Sequence, residues 1–342
     1  MIGRGSDASG LLFLLLSFAA RGIPTAEERS ARVFRPRRNW KTPLTMSTNL
    51  SRRRKLSLLA LTLYGRLRSA RVFRPRRSWA LMLCWLIVVL AGCQAVAPSN
   101  NRKWAADMVE IPQAEWAGNR VTIRNVRNCR YQTAEKFQVK YEDRVYDLDQ
   151  LDSVDFIVMP FAAHPELAHT MLAFGFNGQE YLDVSAEIRK EEGEKYSTSG
   201  GVTRQFELTY ILSDERDSIR ATTNNLLRDV YIYRTVATPE QSRLLFQSVL
   251  KRVNKLHDEP EFYNTLTNNC TTNLLSHVNE ILPKKIKYNY QVLLPGLADQ
   301  LAYEHGLLVS HGSFEQTRAA ARVNEKAFAY RDDADFSVQI RR

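Results

Sequence analysis

The sequence lacks the features of a membrane-spanning or nucleic-acid-binding domain. No stretch after Cys93 contains the ~20 consecutive apolar residues that a transmembrane helix needs. An excess of basic charge is also missing there. Of 48 Lys and Arg and 37 Asp and Glu residues, 18 and 3 lie in residues 1–92, which leaves 30 basic and 34 acidic side chains for the remainder. A large positive field that would attract phosphates is therefore excluded, and we expect no nucleic-acid partner.

Cysteine and histidine are scarce, which limits the chemistry open to the chain. Of four Cys residues, only Cys129 and Cys270 follow Cys93, and the six His residues do not cluster with Cys or carboxylates at the spacing of metal ligands. We therefore expect no metal site and no cofactor. A disulfide between Cys129 and Cys270 is compatible with an oxidising compartment, although nothing in the sequence requires it.

The N-terminal part has the layout of a signal peptide. The arginine-rich stretch Arg71–Trp79 precedes the uncharged apolar run Trp79–Leu90, and Leu90-Ala91-Gly92-Cys93 closes that run. These last four residues resemble a bacterial lipobox, and the resemblance implies lipidation of Cys93. We therefore expect a protein that is lipid-anchored to a membrane of the bacterial cell envelope and faces the periplasm.

An internal repeat lies within this leader. The segment Ser30–Arg38 recurs as Ser69–Arg77. A unit that is rich in Arg and almost without periodic apolar residues cannot bury a core, so we interpret residues 1–92 as a leader with duplicated or spurious upstream sequence. The polar residues 93–103 that follow have the composition of a tether between a lipid anchor and a domain.

Period-two alternation of apolar side chains predicts a sheet after the tether. Strands are expected in 121–126, 137–141, 155–159, 169–176, 181–184, 204–212 and 230–234. Asn177-Gly178 predicts a hairpin turn between two of them. Pro160 is expected to end its strand, because proline cannot donate to a central ladder. The acidic run 214–217 is predicted to be a solvated charge cluster at a helix start.

Two amphipathic helices are predicted in the second half of the chain. In the first, residues 239–256, Thr238 and Gln241 have the spacing of a capping box. The second begins at or just before Cys270, since polar turn-forming residues precede it and apolar residues follow at helical spacing. Unpaired N–H groups and the macrodipole at a helix start favour a thiolate over a thiol. Cys270 is therefore a candidate nucleophile, and a buried structural cysteine is the alternative.

His169 is the strongest candidate for a base that activates Cys270. It is predicted to begin a strand beside an aromatic sheet face, and a rigid strand can aim an imidazole at a helix N-terminus. His277 lies two helical turns beyond Cys270, ~10 Å along the axis, which is too far for a hydrogen bond. A histidine satisfied within the core is the alternative for His169.

Several motifs together resemble a known family, the periplasmic domain of the Lnb lipoprotein N-acyltransferases. They are His169-Thr170, Phe174-Gly175-Phe176, Tyr181–Arg189, Tyr210–Asp217 and Tyr263–Leu275. The resemblance implies an α+β, permuted papain-like fold related to NlpC/P60 enzymes, with an antiparallel sheet packed on a helix that carries the nucleophile. It places the nucleophile at Cys270 and the base at His169. The further candidates for orienting or substrate-binding residues are Asn269, Ser185, Glu187 and Arg189.

The resemblance implies a membrane-anchored cysteine enzyme that forms a thioester at Cys270. The expected reaction is acyl transfer in lipoprotein or envelope lipid metabolism, with phospholipid and lipoprotein as partners. A cell-wall peptidase or amidase, or a non-catalytic lipoprotein that acts as a binding module, are the alternatives. In this division of the chain, residues 104–311 form the catalytic domain and 312–342 a C-terminal tail that starts as a helix.

Overall fold

The computed structural model of the protein describes residues 97–133 and 136–342. The leader, the lipobox with Cys93 and the first part of the tether lie outside the described residues. None of the helices in the described part of the chain is long and apolar enough to cross a bilayer.

An eight-stranded, mostly antiparallel sheet organises the domain. The strands along the chain are β1 (Gln113–Ala117), β2 (Arg120–Arg127), β3 (Arg130–Tyr131), β4 (Phe137–Gln138), β5 (Tyr141–Asp147), β6 (Leu151–Phe161), β7 (His164–Phe176), β8 (Glu180–Arg189), β9 (Glu207–Ser213) and β10 (Tyr231–Arg234). Their order in the sheet is β1-β2-β9-β8-β7-β6-β10, with β5 paired to β2, and β3 and β4 form a separate ribbon. The contact between β2 and β9 is parallel.

Helices lie between and after the later strands and pack on the sheet, which confirms the predicted α+β class. They are α1 (Thr198–Val202), α2 (Pro239–Asp258), α3 (Cys270–Ile281), α4 (Tyr290–Leu293), α5 (Ala298–Glu304), α6 (Phe314–Ala321), α7 (Asn324–Ala329) and α8 (Phe336–Gln339). Single turns of 3-10 helix occur at Ala106–Met108, Leu148–Gln150 and Pro295–Leu297, and a π-helix spans Arg216–Asn225.

Helix α2 packs against the sheet and supports α3. Thr238 and Gln241 form the predicted capping box, and Pro239 occupies the first turn, where no backbone N–H is needed. The apolar stripe of α2 packs on β7, where the rings of Phe174 and Phe246 lie 4.8 Å apart. Helix α3 contacts α2, β7 and β8. The helix that begins at Cys270 is therefore held between another helix and the middle of the sheet.

The β7–β8 hairpin confirms the turn predicted at Asn177-Gly178. Both residues have positive φ, 51° and 63°, as a type I′ turn requires. Two predicted strand ends are wrong, because β7 begins at His164 instead of His169 and β6 continues through Pro160. The proline is tolerated because β10 pairs with β6 only as far as Val158, so this neighbour does not need the missing N–H.

The residues after 312 pack into the domain. Phe336 and Ile340 are fully buried in a core cluster shared with β6 and β7. Beyond them, the guanidinium of Arg341 donates to Asp155 at 2.6 Å and to Glu215 at 2.8 Å. All three charged side chains are at most one-tenth exposed. The C-terminal segment is thus tied to β6 and to the start of the π-helix by a buried ion cluster.

Replacement of Arg341 by methionine is expected to destabilise the fold by about 3–5 kcal/mol, because it leaves Glu215 buried without its counter-charge, whereas Asp155 keeps Arg234 at 3.0 Å. The free energy of unfolding from urea titration of the full chain measures this loss. Arg342→Met is the matched control: it removes a neighbouring exposed charge and should change stability by no more than about 0.5 kcal/mol. Equal effects of the two substitutions would contradict a stabilising role of the cluster.

Candidate active site

The site lies where β7 and β8 separate. The two strands pair from Phe176↔Glu180 to Leu172↔Val184, whereas β8 continues to pair with β9 as far as Arg189. Extending the register beyond the last pair places His169 at the level of Glu187. In this gap the N-terminus of α3 contacts both strands, which places Cys270 next to His169.

The sequence before Cys270 fixes the start of α3. Asn269 is the N-cap residue: its side-chain oxygen accepts from the Thr272 backbone N–H at 2.9 Å, and its own N–H donates to the Thr272 hydroxyl at 2.8 Å. Its amide nitrogen also donates to the Thr265 carbonyl at 2.7 Å. Cys270 is therefore the first residue of the helix, where unpaired N–H groups and the helix dipole favour an anion.

The surroundings of Cys270 stabilise its thiolate. Burial raises the pKa of the thiol, but a hydrogen bond to His169 and the charge of that imidazole, together with the hydroxyl and backbone N–H of Thr170, lower it to about 7. The Thr271 hydroxyl lies 3.8 Å from the sulfur and 3.1 Å from the Thr170 hydroxyl. A substantial fraction of Cys270 is thus ionised near neutral pH, as a nucleophilic cysteine requires.

A carboxylate and a hydroxyl stand behind the imidazole. Nε2 of His169 lies 3.4 Å from Glu187 Oε1, and the Ser185 hydroxyl donates to the same oxygen at 2.7 Å. Burial lowers the pKa of His169, but the hydrogen bond to Cys270 and the charge of Glu187 raise it above its ordinary value. Burial likewise raises the pKa of Glu187, and the charges of His169 and Arg127 lower it below its ordinary value. Four side chains therefore form a line from Ser185 through Glu187 and His169 to Cys270.

Replacement of Glu187 by glutamine is expected to shift the alkaline limb of the pH–rate profile, the pH range in which activity falls as pH rises, to lower pH. Loss of the carboxylate charge lowers the pKa of His169, so the imidazolium that pairs with the thiolate is lost at lower pH, and activity at pH 8 falls about tenfold. A pH–rate profile measures the shift. Ser185→Ala removes one hydrogen bond to a carboxylate that stays charged, so it should move the alkaline limb less than the Glu187 variant does. An unchanged limb in Glu187→Gln would exclude a role of this charge.

A cavity of about 670 Å³ opens in front of Cys270. Its wall is mixed, with aromatic and aliphatic side chains interspersed among polar ones. The lining side chains include Tyr131, Asn225, Leu226, Arg228, Tyr263 and Leu293. Cys270, His169, Ser185 and Glu187 all line it. A site of this size holds a small organic molecule or part of a lipid.

The sequence did not indicate two charged groups of this cavity. Arg127, at the end of β2, binds Asp217 of the π-helix through Nε and a terminal nitrogen at 3.1 and 2.9 Å. The same carboxylate accepts from the Cys129 backbone N–H at 2.6 Å. Ninety residues separate this arginine from its aspartate, so no local spacing could have indicated the pair. Thr170 could have been found, because it follows His169 directly in a strand whose alternation is visible.

Arg189, predicted as an orienting or substrate-binding residue, does not reach the site. Its guanidinium donates to the carbonyls of Met108 and Val109 at 2.9 and 2.7 Å and stacks on Trp104 at 4.1 Å. The prediction for Arg189 is therefore wrong. At the end of β8 its side chain points to residues 100–109, which precede the first strand, and holds that segment on the sheet. Asn269 does line the cavity, but its amide is used to cap α3.

His277 and Cys129 make contacts elsewhere in the domain and do not line the cavity. His277 is buried between the hydroxyls of Tyr210 and Ser248, each 2.7 Å from a ring nitrogen, and burial lowers its pKa to about 4. It therefore stays neutral and links α3 to β9 and α2. Cys129 and Cys270 are both free thiols. Burial and the charge of Asp217 raise the pKa of Cys129 to about 11.

The residues that the structure describes contain no group of three or more His, Cys, Asp or Glu side chains arranged to hold a metal ion. No curated protein and no solved structure matches the chain. A family model supports one part of the resemblance inferred from the motifs around His169 and Cys270, namely the likeness to a periplasmic domain. Residues 137–296 match the Lnb N-terminal periplasmic domain, and this range includes Cys270, His169, Glu187 and Ser185.

Proposed function

We propose that the protein is a cysteine acyltransferase of the bacterial cell envelope that forms a thioester at Cys270. The observation that carries this proposal is the position of the buried Cys270 thiol at the first residue of α3 beside His169, whose Nε2 lies 3.4 Å from Glu187. The lowered pKa of Cys270 agrees with this geometry. A binding module has no need of a buried thiolate, whose burial is unfavourable. The match of residues 137–296 to a periplasmic domain family supports the compartment.

The first half of the reaction joins the acyl group to the enzyme. The Cys270 thiolate attacks the carbonyl carbon of an ester, and the N–H groups in the first turn of α3 stabilise the oxyanion. The imidazolium of His169 then gives its proton to the departing alkoxide, so that an alcohol leaves and a thioester remains. Glu187 keeps the imidazole oriented and stabilises its charged form.

The second half transfers the acyl group to an acceptor. An amine enters the cavity, and neutral His169 removes a proton as the nitrogen attacks the thioester. Collapse of this intermediate forms an amide and expels the Cys270 thiolate, which restores the starting state. The proposed amine is the N-terminus of a lipoprotein. Water in its place would give hydrolysis.

The mixed lining of the cavity favours a lipid ester over a cell-wall peptide as the donor. Apolar side chains such as Leu226, Leu293 and Tyr263 stand in its wall beside the polar groups at Cys270, and an acyl chain gains free energy when apolar surfaces cover it. In this proposal, Cys93 carries a lipid that holds the enzyme at the membrane, and residues 93–103 form the tether. The helix that bears the nucleophile follows the strand that bears the histidine, an order consistent with a permuted papain-like enzyme.

Mass spectrometry of the full chain after incubation with phospholipid vesicles tests the proposal. We expect one acyl chain added to Cys270, removable by hydroxylamine as a thioester is. A parallel incubation with muropeptides separates the alternatives, because a peptidyl adduct there and none with phospholipid would favour a peptidase or amidase. An adduct with neither donor would contradict the enzymatic proposal.

A further inference from the structure

An exposed leucine pair follows the π-helix at the rim of the cavity. Leu226 and Leu227 come directly after Arg216–Asn225, and they are 40% and 80% exposed. Leu227 has a φ of 52°, in the left-handed region that branched side chains disfavour. A large apolar side chain that is held in solvent by an unfavourable backbone conformation indicates a function other than packing.

This leucine pair is continuous with the cavity of Cys270. Leu226 lines the cavity, as do its neighbours Asn225 and Arg228. The amide of Asn225 donates to the Gln132 carbonyl at 3.1 Å, which ties the end of the π-helix to the ribbon of β3 and β4. In that ribbon Tyr131, which also lines the cavity, stacks on Phe137 with ring centres 4.9 Å apart. Apolar side chains from two separate elements, Tyr131 and Leu226, thus line the same cavity.

Basic groups accompany these apolar side chains. Arg228 belongs to the cavity wall and follows the leucines directly. Arg130 of β3 lies near Arg220 of the π-helix. Burial is the largest cause that lowers the pKa of Arg220, and the charge of Arg130 is the second. Of the acidic neighbours, Asp229 binds Arg322 at 2.9 Å, whereas Asp332 lies 3.8 Å from Arg220 and offsets part of its charge, so Arg130 and Arg228 are the main cations. Apolar side chains flanked by cations are typical of proteins that bind an anionic lipid surface.

We propose that the rim formed by Leu226, Leu227 and the neighbouring cations docks on a bilayer of anionic phospholipid and turns the mouth of the cavity towards it. Its importance for catalysis rests on the proposed lipid donor. A protein partner fits less well, because two leucines and a few neighbouring side chains provide much less than the ~800 Å² that each partner contributes to a stable interface. A bilayer can accept so small an insertion because the cations beside it add electrostatic attraction.

Tryptophan substitutions in the full chain test the docking directly. Leu227→Trp and Leu244→Trp are each mixed with vesicles of phosphatidylglycerol and phosphatidylethanolamine whose acyl chains carry bromine, a quencher of tryptophan fluorescence. Leu244, on α2, is 48% exposed and does not line the cavity, so it is a matched control. After subtraction of the wild-type signal, we expect the emission of Leu227→Trp to fall at least about twofold and that of Leu244→Trp to stay unchanged. Equal quenching at both positions, or none at either, would overturn the docking proposal.

A second variant separates docking from folding and from chemistry. Asparagine tolerates the left-handed conformation and is polar, so Leu227→Asn should fold normally but lose the membrane contact. We expect the acylation of Cys270 from vesicle phospholipid to slow about tenfold, while alkylation of Cys270 by iodoacetamide keeps its wild-type rate. An acylation rate equal to wild type would contradict the inference. Quenching of Leu227→Trp without any acylation in the wild-type chain would support the docking and refute the proposed acyl transfer.

Discussion

Replacement of Cys270 by alanine is expected to abolish the acyl adduct and to lower the rate of acyl transfer at least about a thousandfold. The sulfur is the atom that forms the covalent intermediate, and a hydroxyl is a much weaker nucleophile than a thiolate at neutral pH. The Thr170 and Thr271 hydroxyls next to it bond to each other at 3.1 Å, and neither is positioned against a base. The adduct is counted by mass spectrometry, and the transfer rate is measured from the appearance of the amide product.

The other thiol of the domain provides the control. Cys129 is fully buried, and burial together with the charge of Asp217 raises its pKa to about 11, so it is almost entirely protonated at neutral pH. Cys129→Ala should therefore keep the adduct and most of the transfer rate. Persistence of the adduct in Cys270→Ala, or its loss in Cys129→Ala from a chain that remains folded, would show that the nucleophile has been assigned to the wrong residue.

Replacement of His169 by glutamine is expected to raise the pKa of Cys270 from about 7 to near its ordinary value of 9.0, because the imidazole no longer opposes burial and only the hydrogen bonds of Thr170 still do. At pH 7 the thiolate fraction falls from about one half to about 1%, a loss of roughly 50-fold. The variant also lacks the group that moves the proton to the leaving alcohol, so the loss in acyl transfer should exceed ~1000-fold at this pH.

Activity of His169→Gln should recover partly as the pH rises, since hydroxide then removes the proton that the imidazole no longer takes. His257→Gln is a suitable control, because His257 is 38% exposed, pairs with Asp258 at 3.0 Å and does not line the cavity. A His169 variant whose rate and pH profile match those of the control would remove the imidazole from the mechanism.

The start of α3 could be predicted because its signals are local. Asn269 and Thr272 are three residues apart and cap the helix together, and the apolar residues that follow have helical spacing. The turn at Asn177-Gly178 is local in the same way. The pairing of Cys270 with His169 could not be derived from spacing, since 101 residues separate them. It depended on chemical complementarity between a helix-terminal thiol and a histidine in a strand.

The acidic run 214–217 shows where local interpretation fails. It was predicted to be solvated, but Asp214, Glu215 and Asp217 are buried. Their counter-charges come from distant positions: Arg144 binds Asp214 at 2.6 Å, and the partners of the other two are Arg341 and Arg127. The local sequence of a cluster of carboxylates is the same whether the cluster is solvated or is buried and paired with distant arginines. For the same reason the sequence did not indicate that Arg189 serves the entering segment and not the cavity.

The pH dependence of iodoacetamide alkylation at Cys270 in the unmodified full chain tests the central claim most directly. Alkylation requires the thiolate and needs no knowledge of donor or acceptor. The paired thiolate and imidazolium predict a rate that reaches half its maximum near pH 7, since the pKa of Cys270 is lowered to about 7. A half-maximum at pH 9.0 or above, the behaviour of a thiol that His169 does not influence, would contradict the account.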